Sequence, residues 1–315
     1  MDKPSLLLPI RGAYDLDRTL ATLTMGAGNP CLRHSVSAAE MTLATPAGGV
    51  VVLAQRGADA LRVSLAGAGA GWVRPHLPGL FGLLDDATGF APEGRLRRVV
   101  QKHTGLRLPR LPVVSHRLVQ VVLQQLISFR DACRGWRRLV LRYGEAVPGG
   151  GGLYLPPAAG RLATLTVAEY TACDILPRHA RLIRELAKQA AGLERLWDAG
   201  AAADSTGSGG DGSDGAADRL SDYLLRQPGV GPWTVGYLRG AGLGDADAVV
   251  LGDYGHPHHV AYFFTGKERS DDAEMLRLLE PYRPHRFRVL QHLILGSAPP
   301  PRRGPRRARL NRRLR

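Results

Sequence analysis

The stretch Leu224-Leu-Arg-Gln-Pro-Gly-Val-Gly-Pro-Trp-Thr-Val-Gly-Tyr237 restricts what this chain can fold into more than any other. An apolar run ends at Leu225, Pro228-Gly229 stops it, Gly229 and Gly231 flank Val230 in a tight turn, and Pro232 opens a new helix with its fixed φ. The pattern predicts a helix, a hairpin almost bare of side chains, and a second helix. Such a backbone can lie against a charged surface, and the free N–H groups of the following helix start point outward at an anion, a description that fits a DNA phosphate. The carbonyls of Leu225, Gln227 and Val230 face the same place and could hold a structural monovalent cation, Na+ or K+, bridging to that phosphate. A Gly-rich turn between two packed helices is the plainer reading, and an isolated Pro-Gly-Val-Gly carries nothing beyond it.

A carboxylate follows within about two helices' length: Asp253, in Val249-Val-Leu-Gly-Asp-Tyr254, leading into Gly255-His256-Pro257. Together the two segments resemble the helix-hairpin-helix DNA glycosylases, most closely the bacterial 3-methyladenine DNA glycosylase II type. In that family a hairpin of the form L-P-G-[VI]-G-x-x-T-A precedes an aspartate that serves base excision, and Gln227 to Val235 with Asp253 match it in type and spacing. Breaking an N-glycosidic bond builds positive charge on the deoxyribose. The resemblance therefore implies that Asp253 stabilises an oxocarbenium-like transition state and orients the attacking water; without it, Asp253 would be a helix N-cap or a turn aspartate.

The resemblance extends to further residues. A base must leave the stack before its sugar can be reached, and the turn Gln124-Gln-Leu-Ile-Ser128 resembles the family's wedge, with Leu126 matching the inserted leucine and Gln125 placed to contact the opposite strand. Taken alone, Leu126 reads as a core leucine. Gly229, Val230 and Gly231 would grip the strand. Trp233 stands where lyase-competent relatives carry a Schiff-base lysine, which implies a monofunctional enzyme that uses water. Trp233 and Tyr237 match residues that border the base pocket. In Arg283-Pro-His-Arg286, His285 replaces a tryptophan that stacks on the flipped base, so Tyr254, Phe263 or Trp233 would have to supply the aromatic face. The implied function is hydrolytic excision of damaged purines, with alkylated purines such as 3-methyladenine foremost. Excision of oxidised purines, or DNA binding without catalysis, are the alternatives.

Charge agrees with a nucleic-acid partner. The net charge is +14, and eight arginines with no acid fall between Arg302 and Arg315, so the remainder is only mildly basic. Cys31, Cys133 and Cys173 lie far apart without metal-ligand spacing, and His256, His258 and His259 lack partners for a metal set. No cofactor is expected to be required. The expected partner is double-stranded DNA containing damaged bases, met by a monomeric, cytoplasmic, nucleoid-associated protein without a membrane segment.

The expected fold class is α+β. Val50-Val-Val-Leu53 and the alternating Leu61-Arg-Val-Ser-Leu65 read as antiparallel strands, with helices near Asp15 to Thr24 and Gly71 to Leu84, giving an N-terminal α+β domain over 1–108. Residues 109–296 read as an all-helical glycosylase region. Within it Ser115 caps a helix, Phe129, Trp136, Leu139, Val140 and Tyr143 share a helix face stopped by Gly144, Thr166-Val-Ala-Glu169 forms a capping box, and Ser270 caps a late helix. Asp198 to Ala217 is predicted to be a flexible insertion, and 297–315 a disordered basic tail.

Overall fold

The computed structural model describes residues 5–204 and 212–301. Five strands, β1 (Ser5–Pro9), β2 (Leu32–His34), β3 (Ala38–Thr45), β4 (Gly48–Arg56) and β5 (Ala60–Ala66), form one antiparallel sheet in the order β1-β5-β4-β3-β2. Strict alternation sets its faces: Met41 pairs with Val52 and Val52 with Leu65, so Val50, Val52, Ala54, Leu61 and Val63 point inward. Over that face lie α1 (Leu16–Ala21), α2 (Ala70–Val73), a 3-10 turn at Arg74–His76 and α3 (Leu77–Leu80). Asp15 caps α1 through the Arg18 N–H, as an N-terminal aspartate should. The helix expected over 71–84 is cut into these short pieces, with Pro75 and Pro78 opening two of them.

The remaining helices are α4 (Gly94–Gln101), α5 (Val114–Gln124), α6 (Phe129–Tyr143), α7 (Ala159–Thr164), α8 (Val167–Thr171), α9 (Pro177–Lys188), α10 (Ala190–Asp204), α11 (Gly212–Leu225), α12 (Pro232–Leu243), α13 (His256–Thr265), α14 (Asp272–Leu279) and α15 (Arg286–Gly296). They make two cores. One gathers α5, α6, α9, α10 and α11 around Trp136, Leu118, Ile183 and Leu224, and the other gathers α4, α13, α14 and α15 around Val260, Met275 and Phe287. Helix α12 belongs to both, through Val235 and Leu238 on one side and Ala241 on the other. Its glycines permit this: a methyl at Gly236 would overlap the Val249 carbonyl, one at Gly240 the Phe287 ring, and one at Gly242 would come within 2.7 Å of Arg117.

Several local expectations need correction. The region 109–296 is not wholly helical. Strands β6 (Glu145–Ala146) and β7 (Tyr154–Leu155) pair across the Gly149–Gly152 loop, and β7 docks on the large sheet, where the Thr42 hydroxyl donates to the Tyr154 carbonyl at 2.6 Å. Helix α4 precedes residue 108 yet packs with α15, because Leu96 and Val99 find their apolar partners there. The insertion is largely helical, through residue 204 and again from 212, and Ala216 and Ala217 are buried; alanine-rich sequence favours helix even where large apolar residues are absent. Residues 205–211 and the arginine run from 302 lie outside the described residues. Helix α5 starts at Val114 and is capped from afar: the buried Glu194 of α10 accepts from the N–H groups of Val114 (2.8 Å) and Ser115 (2.9 Å) and from the Ser115 hydroxyl. Asp271, not Ser270, caps α14. Thr166 and Glu169 do form a capping box. Among the described residues, no helix is long and apolar enough to cross a membrane.

Candidate active site

The hairpin between α11 and α12 has the expected form. Gly229 takes φ +89°, which only glycine adopts freely, and the Val230 N–H closes the turn on the Gln227 carbonyl at 3.0 Å. Gly231 is different. Its φ of −119° suits any residue, and a Cβ there would meet nothing within 4 Å, so nothing among the described residues demands a glycine. Gly231 is the N-cap of α12 and Pro232 its first residue, so a bare stretch of backbone and a helix start share one surface.

Two side-chain links tie this hairpin to the other residues singled out in the sequence. The first is Gln125, whose carboxamide donates to the Gly229 carbonyl at 3.1 Å and the Thr234 hydroxyl at 2.9 Å. Its amide group is thus committed to the hairpin, a bracing role that the sequence did not suggest. Next to it Leu126 is 74% exposed at φ +58°, a backbone state that costs a branched residue energy. This overturns the core reading of Leu126: Gln124 ends α5, Ser128 caps α6 through the Asp131 N–H, and the leucine projects from the sharp turn between them. Phe129, expected on the buried face of α6, is also half exposed.

The second link is Trp233, whose indole N–H donates to Asp253 Oδ2 at 2.8 Å. The Asp253 side chain is 19% exposed, so it is largely desolvated but not sealed off. Its other oxygen accepts from the backbone N–H groups of Gly255 (2.7 Å) and His256 (2.8 Å), at the start of α13. Asp253 therefore also does the local job that the sequence allowed, closing the turn before a helix. Burial alone would raise its pKa. The His256 imidazole, the Trp233 hydrogen bond and the two backbone donors outweigh burial and hold the carboxyl below the usual carboxylate range. Burial also lowers the pKa of His256, against the pull of Asp253, so the imidazole is neutral near pH 7, where the three N–H donors remain on the carboxylate.

Trp233 and Tyr237 stand one turn apart on α12 and stack, with ring centroids 5.3 Å apart and planes 11° from parallel. Both are partly exposed, giving a flat aromatic wall beside the carboxylate. Behind Tyr237 lies Arg117, fully buried and bonded to the carbonyls of Thr22, Leu23 and Ala241 and to Gln120 Oε1. Tyr254 is 72% exposed and meets His258 edge-on. Phe263 is buried in the α4–α15 core, with Arg95 over its ring, and is not available as a stacking face.

His285 is not brought to this wall. It is buried at the N-cap of α15, with Nε2 2.9 Å from the Thr88 carbonyl, Nδ1 accepting from Arg288 Nε at 3.3 Å, and Phe90 as its ring neighbour. It borders a cavity of about 880 Å³ that opens on a different face of α12 and is lined by Asp85, Asp218, Asp247 and Arg239. The three histidines after Asp253 diverge: His256 faces Asp253, His258 accepts from the Ser270 N–H, and His259 pairs with the Ser297 hydroxyl.

The sequence matches no family model. Two curated proteins from strains of Mycobacterium tuberculosis, each named probable bifunctional transcriptional activator/DNA repair enzyme AlkA, are 28% identical over 262 residues, covering 80% of this chain and 49% of theirs. The chain thus spans about half the length of these relatives. Among solved structures, the 3-methyladenine DNA glycosylase from Archaeoglobus fulgidus superposes with a TM-score of 0.73 at 20% identity, covering 92% of this chain and 97% of its own. The 8-oxoguanine glycosylase/lyase from Clostridium acetobutylicum does so with a TM-score of 0.65 at 12% identity, covering 94% and 97%. The chain therefore shares the fold of these two solved glycosylases, and over four fifths of its length it is similar in sequence to the two curated proteins.

Proposed function

We propose that this chain is a monofunctional DNA glycosylase that removes alkylated purines from double-stranded DNA by hydrolysis at C1′. The observation that carries the proposal is Asp253: a carboxylate that accepts from three N–H donors, is partly open to solvent and stands beside a stacked indole and phenol. A negative charge of this kind stabilises positive charge developing on a sugar. The Trp233–Tyr237 wall offers the electron-rich face that a cationic alkylpurine prefers, which supports this substrate class with a histidine at position 285. The bare backbone at Gly231 suits docking on a phosphate, and the exposure of Leu126 on a sharp turn supports a part in filling the gap left by an everted nucleotide. Binding of the strand at the hairpin would be completed by a monovalent cation on the carbonyls of Leu225, Gln227 and Val230. The Gln227 carbonyl already accepts one turn bond, and its second lone pair remains for an ion.

The test is release of free base from methylated duplex, resolved by chromatography, with Asp253→Asn beside the native chain. Release by the native chain, and its loss in a variant that still binds DNA, is the expected result. Equal behaviour of the two, with binding alone, would identify a DNA-binding protein. Release confined to oxidised duplexes would move the activity to oxidised purines. Borohydride should trap no covalent adduct, since position 233 holds no amine.

A further inference from the structure

His256 is the first residue of α13, and nothing in the family resemblance assigns it a role. Its ring lies against the carboxylate, with Nδ1 3.6 Å from Asp253 Oδ1. Nδ1 is buried and has no hydrogen-bond partner, although 14% of the side chain is exposed, so that exposure belongs to the rest of the ring. A neutral imidazole carries one N–H and one lone pair. Were the lone pair on Nδ1, two acceptors would face each other in a desolvated place; the tautomer with its proton on Nδ1 turns that repulsion into attraction and leaves the lone pair on Nε2.

We propose that Asp253 and His256 form the proton-accepting pair of the hydrolytic step: Asp253 orients the imidazole through its Nδ1–H, and Nε2 receives a proton from the attacking water. The inference rests on the excision reading above. The step balances. The C1′–N bond breaks with its electron pair going to the cationic purine, which departs neutral. The water oxygen bonds to C1′, one of its protons passes to Nε2, and the resulting imidazolium is stabilised by the Asp253 carboxylate until it returns the proton to solvent. A separation of 3.6 Å is longer than a hydrogen bond, and catalytic pairs commonly tighten only when substrate is bound.

Among the described residues, His256 has Asp253 as the charged group acting on its ring and His259 as a titratable neighbour that feels it. His259, also on α13, is engaged by Ser297 at the end of α15; Asp272 of α14 accepts from the Gly252 N–H; Arg95 of α4 donates to the Phe263 carbonyl farther along α13; and α12 contributes Trp233 to the carboxylate. Burial holds the imidazole below its ordinary pKa of 6.5, so it is available as a base at neutral pH and is lost as one when the pH falls through its lowered value.

Two measurements test the pair. In single-turnover base release from methylated duplex across about pH 5 to about pH 8, His256→Asn should be slower by on the order of a hundredfold and should lose the decline that the native enzyme shows on its acid side. Affinity for abasic duplex should be unchanged. Nitrogen NMR of the full chain without DNA should find His256 as the Nδ1–H tautomer, with its ring shifts altered by Asp253→Asn. A variant with native rate and native pH profile, or an imidazole protonated on Nε2, overturns the pair. A native chain that releases no base from any duplex refutes the glycosylase reading and with it the catalytic use of the pair, while the NMR result still decides whether the two side chains are coupled.

Discussion

Trp233 does two things at once, since its indole face makes the aromatic wall and its N–H holds Asp253 Oδ2. Trp233→Phe keeps most of the face and removes the donor. Asp253 should then titrate closer to an ordinary carboxylate. Because the native group is held low, its stabilising contribution is present above the unfolded pKa and disappears as pH falls through the folded one; in Trp233→Phe the folded pKa lies nearer the unfolded one, so the contribution should be smaller and its loss complete at a higher pH, which thermal melts between about pH 3 and about pH 5 would register. Base release at neutral pH should fall by about tenfold, the effect of one charge-assisted hydrogen bond. At Leu126 the expected signs are opposite. Leu126→Gly relieves a positive φ and should stabilise the fold by about 1 kcal/mol, measured by denaturant melting. It should also slow excision from paired duplex more than from single strands, where there is no gap to fill. Composition and spacing identified neither residue's task. Leu126 had the chemistry of a core leucine, and only its sharp turn turns it outward; the Trp233–Asp253 bond joins residues 20 apart in sequence, which no local pattern specifies.

At the scale of the element, α12 is where the two helical cores and the loop carrying Asp253 meet, and its glycines set the spacing. Gly236→Ala would press on the Val249 carbonyl, four residues before Asp253, so the loop carrying the carboxylate must shift. We expect a stability loss of about 1–3 kcal/mol and a larger relative loss of turnover, since placement errors of about 1 Å cost catalysis on the order of a hundredfold. Substrate affinity and kcat, measured separately, would show whether the hairpin itself has moved. The hairpin, the alternating strands β4 and β5 and the Thr166 capping box were legible because each depends on neighbours in sequence. The N-terminus of α5 was not, because its cap is Glu194, about 80 residues away. The small β6–β7 hairpin was hidden for a related reason: its two-residue strands are held partly by the large sheet they dock on.

At the scale of the whole molecule, a buried ion pair fastens the loop after α3 to α15. Arg288 clasps Asp85 with both terminal nitrogens, at 2.8 and 2.7 Å, and both side chains are almost completely buried. Asp85 also accepts from the Leu108 N–H, and Arg288 also donates to the Asp86 carbonyl and to His285 Nδ1. Removing one partner leaves the other charged in a dry place. Asp85→Ala should cost about 3–5 kcal/mol, whereas the double replacement Asp85→Leu with Arg288→Met should recover most of that loss; a double-mutant cycle in chemical denaturation reads both. The α+β class and the hairpin region could be anticipated from sequence. The way the halves are fastened could not, since residues 85 and 288 are brought together only by the completed fold.

The Gln125 brace has a consequence for how such a protein would walk along a duplex. Because one carboxamide bonds both the Gly229 carbonyl and the Thr234 hydroxyl, the protruding Leu126 and the Gly229–Gly231 turn form a single braced unit, a jig. In the proposed complex, their offset works as a ruler: seating the jig on one linkage fixes which neighbouring nucleotide is presented for inspection, so search would advance in whole-nucleotide steps with no separate adjustment of the probe.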